Sequence, residues 1–111
     1  MLPRKYKLSK KKEIENLAKT GKRLRSVFFN VKHLPNKEDN ERWLLVVSGK
    51  VDKKAVKRNK IRRRVREIIR SDFLGKMGQR DIMIVLKDTA KDCSFSELKE
   101  DFTRLLNKLI K

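Results

Sequence analysis

The segment KVDKKAVKRNKIRRRVREIIR, Lys50 to Arg70, sets eleven Lys/Arg against two carboxylates, Asp52 and Glu67. Through that run and just beyond it, Ile61, Val65, Ile68, Ile69 and Phe73 recur at i, i+4, i+7, i+8 and i+12, the spacing of one apolar helical stripe. A helix of this kind must seal its stripe onto a core while its opposite arc stays cationic. The charge therefore rides on a fixed scaffold and not on a disordered basic tail. A rigid cationic face suits a polyanion of defined shape, with RNA or DNA as the first candidate.

The segments on either side supply that core. RWLLVVSG, residues 42 to 49, is apolar enough to be a strand buried on both faces, and RDIMIVLK, residues 80 to 87, alternates Ile82, Ile84 and Leu86 with Met83 and Val85, as a central strand does. Two strands flanking a helix form a βαβ unit and predict a parallel pair. Upstream, residues 23 to 34 read as extended structure through Leu24, Val27, Phe29 and Val31, with a shorter strand preceding the main one. The polar segment PNKEDNE, 35 to 41, joins it to the next strand as a seven-residue hairpin loop. Ser9 introduces a short basic helix over 10 to 20 that Gly21 stops, Asp52 is the predicted N-cap of a basic helix over 53 to 73, and Gly75 and Gly78 end it. Ser94 and Glu97 form an S-x-x-E capping box ahead of Leu98, Phe102, Leu105, Leu106, Leu109 and Ile110 at helical spacing. With 111 residues and no internal repeat, this is one domain.

The net charge of +18 is concentrated. Residues 1 to 29 hold ten Lys/Arg against two Asp/Glu and residues 50 to 70 hold eleven against two, whereas 30 to 49 balance and 71 to 111 nearly do. Like charges grouped this way weaken an isolated fold, and a partner's phosphates relieve the strain on binding. The single Cys93 excludes an internal disulfide framework and a multi-cysteine zinc site. MLPRKYKLSKKKE has no apolar signal region, and no stretch approaches the roughly 20 apolar residues of a membrane span. A cytoplasmic protein with no membrane partner is the expectation, since the basic helix also lacks Trp or Phe beside its charges for lying on a lipid surface.

No catalytic constellation is visible. His33 and Cys93 are each alone, and Asp81 and Asp88 flank a strand about 20 Å long, too far apart to share a metal or act as an acid/base pair. There is no phosphate-binding glycine loop, H-E-x-x-H or C-x-x-C. No residue is assigned a catalytic or metal-ligating role: the residues point to a chain that binds and does not cut. On a helical wheel Asn59, Lys60, Arg63, Arg66, Glu67 and Arg70 fall opposite Ile61 and Val65, Arg62 and Arg64 flank the stripe, and Arg58 turns toward the apolar side. Arginine's planar fork pairs with two phosphate oxygens and stacks on bases. A solvated charged face, a ribosomal-type structural RNA-binding protein and a DNA-binding regulator remain open on these grounds, although the last usually carries a dimerisation element.

The run Val56-Lys57-Arg58-Asn59-Lys60-Ile61-Arg62-Arg63 resembles the R-N-R helix motif of the bacterial ribonuclease P protein family, and VVSGKVDKKAVKRNK resembles the strand, turn and helix start that carry it. Lys7-Leu8 ahead of a short helix ending at Gly21, the Phe28-Phe29 strand, the strand from Trp43 and the Asp81-Ile-Met-Ile-Val strand follow that family's order. The resemblance implies an α+β fold, a single-domain αβββαβα sandwich with a left-handed βαβ crossover. It also implies one protein per catalytic RNA, which cleaves precursor tRNA to leave a mature 5′ end, with Mg2+ held mainly by the RNA. Matched position by position, it assigns catalytic-RNA contacts to Lys50, Lys53, Lys54, Lys57, Arg58, Asn59, Lys60, Arg62, Arg63, Arg66 and Arg70.

The family also holds the single-stranded 5′ leader of precursor tRNA in a cleft between its first helix and the sheet, often on aromatic residues. Here the matching positions are Ile14 and Ala18 on the helix and Val31 on the strand, with Phe29 or Tyr6 as substitute aromatics and Lys10, Lys11 and Lys12 for phosphates. Gly49 stands where a second turn lysine is common.

Overall fold

The computed structural model describes residues 2–110. Three α-helices and four strands follow in the order α1 (Lys11–Thr20), β1 (Lys22–Arg25), β2 (Phe29–Pro35), β3 (Arg42–Val46), α2 (Ala55–Ile68), β4 (Arg80–Leu86) and α3 (Phe95–Asn107). The sheet order is β1-β2-β4-β3, with β1/β2 and β2/β4 antiparallel and β3/β4 parallel. This is an α+β single domain with a mixed sheet, and the parallel pair spanned by α2 is present. The expected hairpin between β2 and β3 is not. β4 lies between them, pairing Val31 with Ile84 on one side and Leu45 with Ile84 on the other. The reason is burial: β4 is apolar on both pleat faces and takes the centre, where both of its edges are paired.

Each strand's pleat separates two environments. Phe29 and Val31 of β2, Trp43 of β3 and Ile82, Ile84 and Leu86 of β4 face a core shared with Val65, Ile68 and Ile69 of α2 and its continuation, and with Leu98, Phe102, Leu105 and Leu106 of α3. Phe102 is its hub, with its ring centroid 4.8 Å from Phe29 and 6.0 Å from Phe73, spacings at which tilted and edge-on aromatic pairs attract. α1 crosses the opposite face, where Arg42, Asp81, Met83, Val85, Asn30 and Lys32 point, and covers only one end of it.

Ionic contacts fasten α1 there. The Arg42 guanidinium donates to both carboxylate oxygens of Glu13 on α1, at 3.2 and 2.7 Å, and to both of Asp81 on β4, at 2.9 Å each. These bonds hold Glu13 below the usual glutamate range and push Arg42 up, Asp81 being the larger influence on Arg42. Ser9 does not cap α1, whose N-cap is Lys10 with no side-chain bond. Gly21 does stop the helix, but not through a left-handed backbone: its φ is −64°, and a Cβ there would lie 2.5 Å from the Leu17 carbonyl oxygen and 3.2 Å from Lys32 Cβ. Only a glycine lets the chain turn from α1 into β1 at that approach.

Two buried carboxylates fix loops. Glu41, 1% exposed, accepts from Trp43 Nε1 at 3.1 Å and from the amides of Gly75 and Met77 at 2.7 and 3.4 Å, tying β3 to the chain leaving α2. Asp101 on α3 accepts from Ser26 Oγ at 2.7 Å and from the Val27 and Phe28 amides at 3.3 and 3.0 Å, so the turn dividing the predicted 23-to-34 strand into β1 and β2 is held by a residue far along the chain. The capping box ahead of α3 forms as predicted, with Glu97 N donating to Ser94 Oγ at 3.1 Å and Ser94 N to Glu97 Oε1 at 3.0 Å.

Candidate nucleic-acid interface

α2 begins at Ala55, not at residue 53. Asp52 is not its N-cap; Lys54 is, and Asp52 Oδ1 instead accepts from the Lys54 amide at 2.9 Å, closing the turn that leads in. That bond, with Lys57, Lys91 and Lys54 nearby, holds the Asp52 carboxyl below the usual aspartate range. The helix then runs to Ile68 and continues as one wide turn, Ile69–Phe73, in which Leu74 N donates to Ile69 O at 2.8 Å. The added residue per turn keeps Ile69 and Phe73 buried with Val65 and Ile68.

The apolar stripe thus sorts the cations. Lys57, Asn59, Lys60, Arg63 and Arg70 are exposed, whereas Arg58, Arg62, Arg64 and Arg66 are half-buried. Several have partners within the protein. Arg62 donates to Asn59 Oδ1 at 2.7 Å, Arg70 pairs with Glu67, and Arg64 lies 5.6 Å from the Phe95 ring centroid, within cation–π range. The Arg58 guanidinium reaches back past the helix start and donates to the carbonyls of Asp52 and Lys53, both at 2.9 Å. The side chains of Lys57, Lys60, Arg63 and Arg66 make no hydrogen bond or ion pair among the described residues. Arg66 borders a groove with Leu2, Lys7, Leu8, Trp43 and Leu45.

At the head of α2, Lys50, Lys53, Lys54 and Lys57 line one cleft of about 690 Å³ with Gly49, Val51 and Asp52. Lys91 joins them. It follows the turn Asp88–Ala90 after β4, and no local sequence signal connects it with the motif.

The second surface is the uncovered end of the sheet. Arg23 and Arg25 of β1, Asn30 and Lys32 of β2 and Met83 and Val85 of β4 line a groove of about 320 Å³ beside α1. Among the described residues, Asn30 Oδ1 is a buried side-chain oxygen without a hydrogen-bond partner. Lys32 Nζ donates to the Ala18 carbonyl near the end of α1. Glu13 and Asn16 line the far side of α1 against Leu34 to Glu38, so at about 100° per residue Lys11, Ile14 and Ala18 lie on the flank toward the groove, while Lys12 points the other way. Lys10, Lys11 and Lys12 are all exposed.

Phe29 and Val31 must be struck from the groove. Both are 0% exposed, on the opposite pleat face against α3. Nor does Tyr6 replace them: it packs partly buried against the main core, with its hydroxyl on the side of Gly75. The groove therefore has no aromatic among its lining residues. Its cations and Asn30 escaped the reading of the sequence, although the alternation of Asn30 and Lys32 with Phe29 and Val31 pointed to them.

Neither His33 nor Cys93 has the other as a hydrogen-bond partner among the described residues. Burial pushes the Cys93 thiol up, and burial, then Arg80 and Lys22, lowers His33. No group of three His, Cys, Asp or Glu is placed to hold a metal ion among the described residues, and no helix there is long and apolar enough to cross a membrane.

The ribonuclease P family model matches residues 2–110. The chain belongs to the ribonuclease P protein family. The ribonuclease P protein component of Xylella fastidiosa strain 9a5c is 36% identical over 96% of this chain and 78% of its own length. The ribonuclease P protein of Staphylococcus aureus superposes with a TM-score of 0.86 at 27% identity, covering 96% of this chain and 98% of that one. For the protein from Thermotoga maritima the TM-score is 0.81 at 29% identity, covering 92% and 96%. As a ribonuclease P protein, this chain is the protein component of an RNA-based endoribonuclease that works in tRNA processing, and its partner is RNA.

Proposed function

We propose that the exposed cationic row of α2 docks on the catalytic RNA of ribonuclease P, one protein per RNA, while the groove beside α1 takes the 5′ leader of precursor tRNA. The observation that carries this reading is the division of labour along α2. Val65 and Ile68 anchor the helix to the core, and Lys57, Lys60, Arg63 and Arg66 are left without a partner among the described residues. Unpaired cations on a rigid scaffold gain most from phosphates, because each contact releases condensed counterions. In the groove, Arg23, Arg25 and Lys11 supply charge for the leader backbone. Met83 and Val85 offer an apolar floor in place of aromatic stacking, with Ile14 and Ala18 on the flank of α1 toward it.

The scissile chemistry belongs to the RNA. Mg2+ held on RNA phosphates would supply the Lewis-acid chemistry that activates a water; the carboxylate in the cleft at the head of α2, Asp52, is ringed by lysines, an environment that repels a cation. The protein's part is to hold the leader beside the ribozyme, so that precursor binds better than mature tRNA. A cytoplasmic setting follows from that substrate.

Reconstitution tests this. Precursor tRNA is incubated with a bacterial ribonuclease P RNA at limiting magnesium, with and without the protein. Cleavage should rise when the protein is added, and Arg63→Ala with Arg66→Ala should weaken RNA binding and flatten its salt dependence by about two contacts' worth, a slope change of roughly 1.4 to 1.8. A protein that neither binds that RNA nor raises cleavage refutes the reading. A ribosomal-type structural role would show itself as RNA binding with no preference for leader-bearing over mature tRNA in the assembled complex.

A further inference from the structure

Arg58 sits inside the basic motif yet uses its charge inward. Among the arginines of α2 it is, within the described residues, the one whose guanidinium donates to main-chain oxygens, those of Asp52 and Lys53 at 2.9 Å each. From the other side Asp52 Oδ1 accepts from the Lys54 amide at 2.9 Å, and the amides of Lys57 and Arg58 return to the Lys54 carbonyl, both at 3.1 Å. The segment so fastened carries Lys53 and Lys54 and faces Lys50, Lys57 and Lys91 across one cleft. Five ammonium groups around a short turn repel one another. A flexible turn would splay them, whereas one pinned through its carbonyls holds them together.

We propose that Arg58 is a positioning residue: it fixes the turn ahead of α2 so that Lys50, Lys53, Lys54, Lys57 and Lys91 present a single phosphate-binding cleft, and it does not itself contact phosphate. The proposal rests on the docking reading above but reverses the assignment that the linear motif makes for this arginine. A guanidinium engaged with two carbonyls offers less of its fork to a phosphate. Arg63, on the exposed arc and unpaired, is the natural contrast.

The two roles separate by salt dependence. Dissociation constants of Arg58→Ala and Arg63→Ala for the ribonuclease P RNA are measured across a salt series. Loss of a phosphate contact makes the plot of log K against log salt shallower by about 0.7 to 0.9; a turn loosened in the free protein that re-forms on the RNA lowers the line without tilting it, because all five lysines still meet phosphates in the complex. Arg63→Ala should tilt the line, and Arg58→Ala should weaken binding roughly tenfold at every salt with the line parallel. Amide hydrogen exchange in the RNA-free protein supplies a second readout: exchange at Lys54, Lys57 and Arg58 should quicken in Arg58→Ala and stay unchanged in Arg63→Ala. A tilt for Arg58→Ala equal to that of Arg63→Ala, or unchanged exchange, overturns the proposal.

Asp52→Ala adds a test of sign. It removes an anion from a surface that meets phosphates, so charge alone predicts tighter RNA binding, while loss of the turn predicts weaker. Tighter binding counts against the positioning role. If Arg63→Ala leaves the slope unchanged, the docking reading fails, and the exchange data still decide whether Arg58 fixes the turn.

Discussion

The two faces of the sheet are held by different physics. On one, Phe29, Val31, Trp43, Ile82, Ile84 and Leu86 pack against α2 and α3 around Phe102. On the other, α1 is fastened by Arg42 between Glu13 and Asp81, by Lys32 on the Ala18 carbonyl and by little buried apolar surface beyond Leu17. The first arrangement makes the molecule stable. The second leaves part of that face open and cationic, at a modest cost in packing, and the proposed path of the leader uses that opening.

Truncating one side chain on each face should separate the two most strongly. Phe102→Ala, at a position 0% exposed, should cost about 3 to 5 kcal/mol in urea unfolding, while Met83→Ala on the half-buried open face should cost about 1 kcal/mol or less. Equal losses would mean that the open face is a second core. Next in size is a change in binding with stability nearly untouched. Arg23→Ala with Arg25→Ala should weaken leader-bearing precursor tRNA in the assembled complex roughly fivefold and leave mature tRNA unaffected. A matching loss for mature tRNA would remove the leader from this groove.

The smallest effect concerns pH. Arg42 depresses the Glu13 carboxyl, so the pair stabilises the fold fully above the ordinary glutamate range and loses its contribution as pH falls through the lowered value. Glu13 is 35% exposed at its side chain, and solvent screening limits the contribution to about 0.5 to 1 kcal/mol. The stability gap between wild type and Glu13→Gln should therefore close on acidification below that range, whereas the Phe102→Ala penalty should not. A gap that persists in acid would show that Glu13 acts through packing and not through charge.

Much of this was legible in the chain because local patterns and tertiary demand agree. The stripe from Ile61 to Phe73, the double-sided apolar β4 and the Ser94/Glu97 capping box each correspond to an observed element. The expected β2–β3 hairpin does not form, because the two-sided apolar β4 takes the central place between those strands. Period-two alternation in FNVKHLP already separated Phe29 and Val31 from Asn30 and Lys32. The family resemblance drew attention to the wrong pair, since aromatic character suggests stacking even where the pleat turns a ring inward. Lys91 and the inward reach of Arg58 had no such signal: one depends on a turn after β4, the other on side-chain geometry around a helix start.

The place of β4 also sets an order of assembly. The strand that joins β2 to β3 is made after both of them and after α2, so of its strands a growing chain ending at Gly78 can pair β1 with β2 but not β2 with β3. Its arginine-rich helix is then complete while the wall that should hold it is still missing, and contacts of such long sequence separation form late and slowly. During synthesis the cationic helix is thus exposed to any nearby polyanion before the domain can select the right one. Closure of the sheet by the last third of the chain is the step that turns indiscriminate charge into a shaped surface.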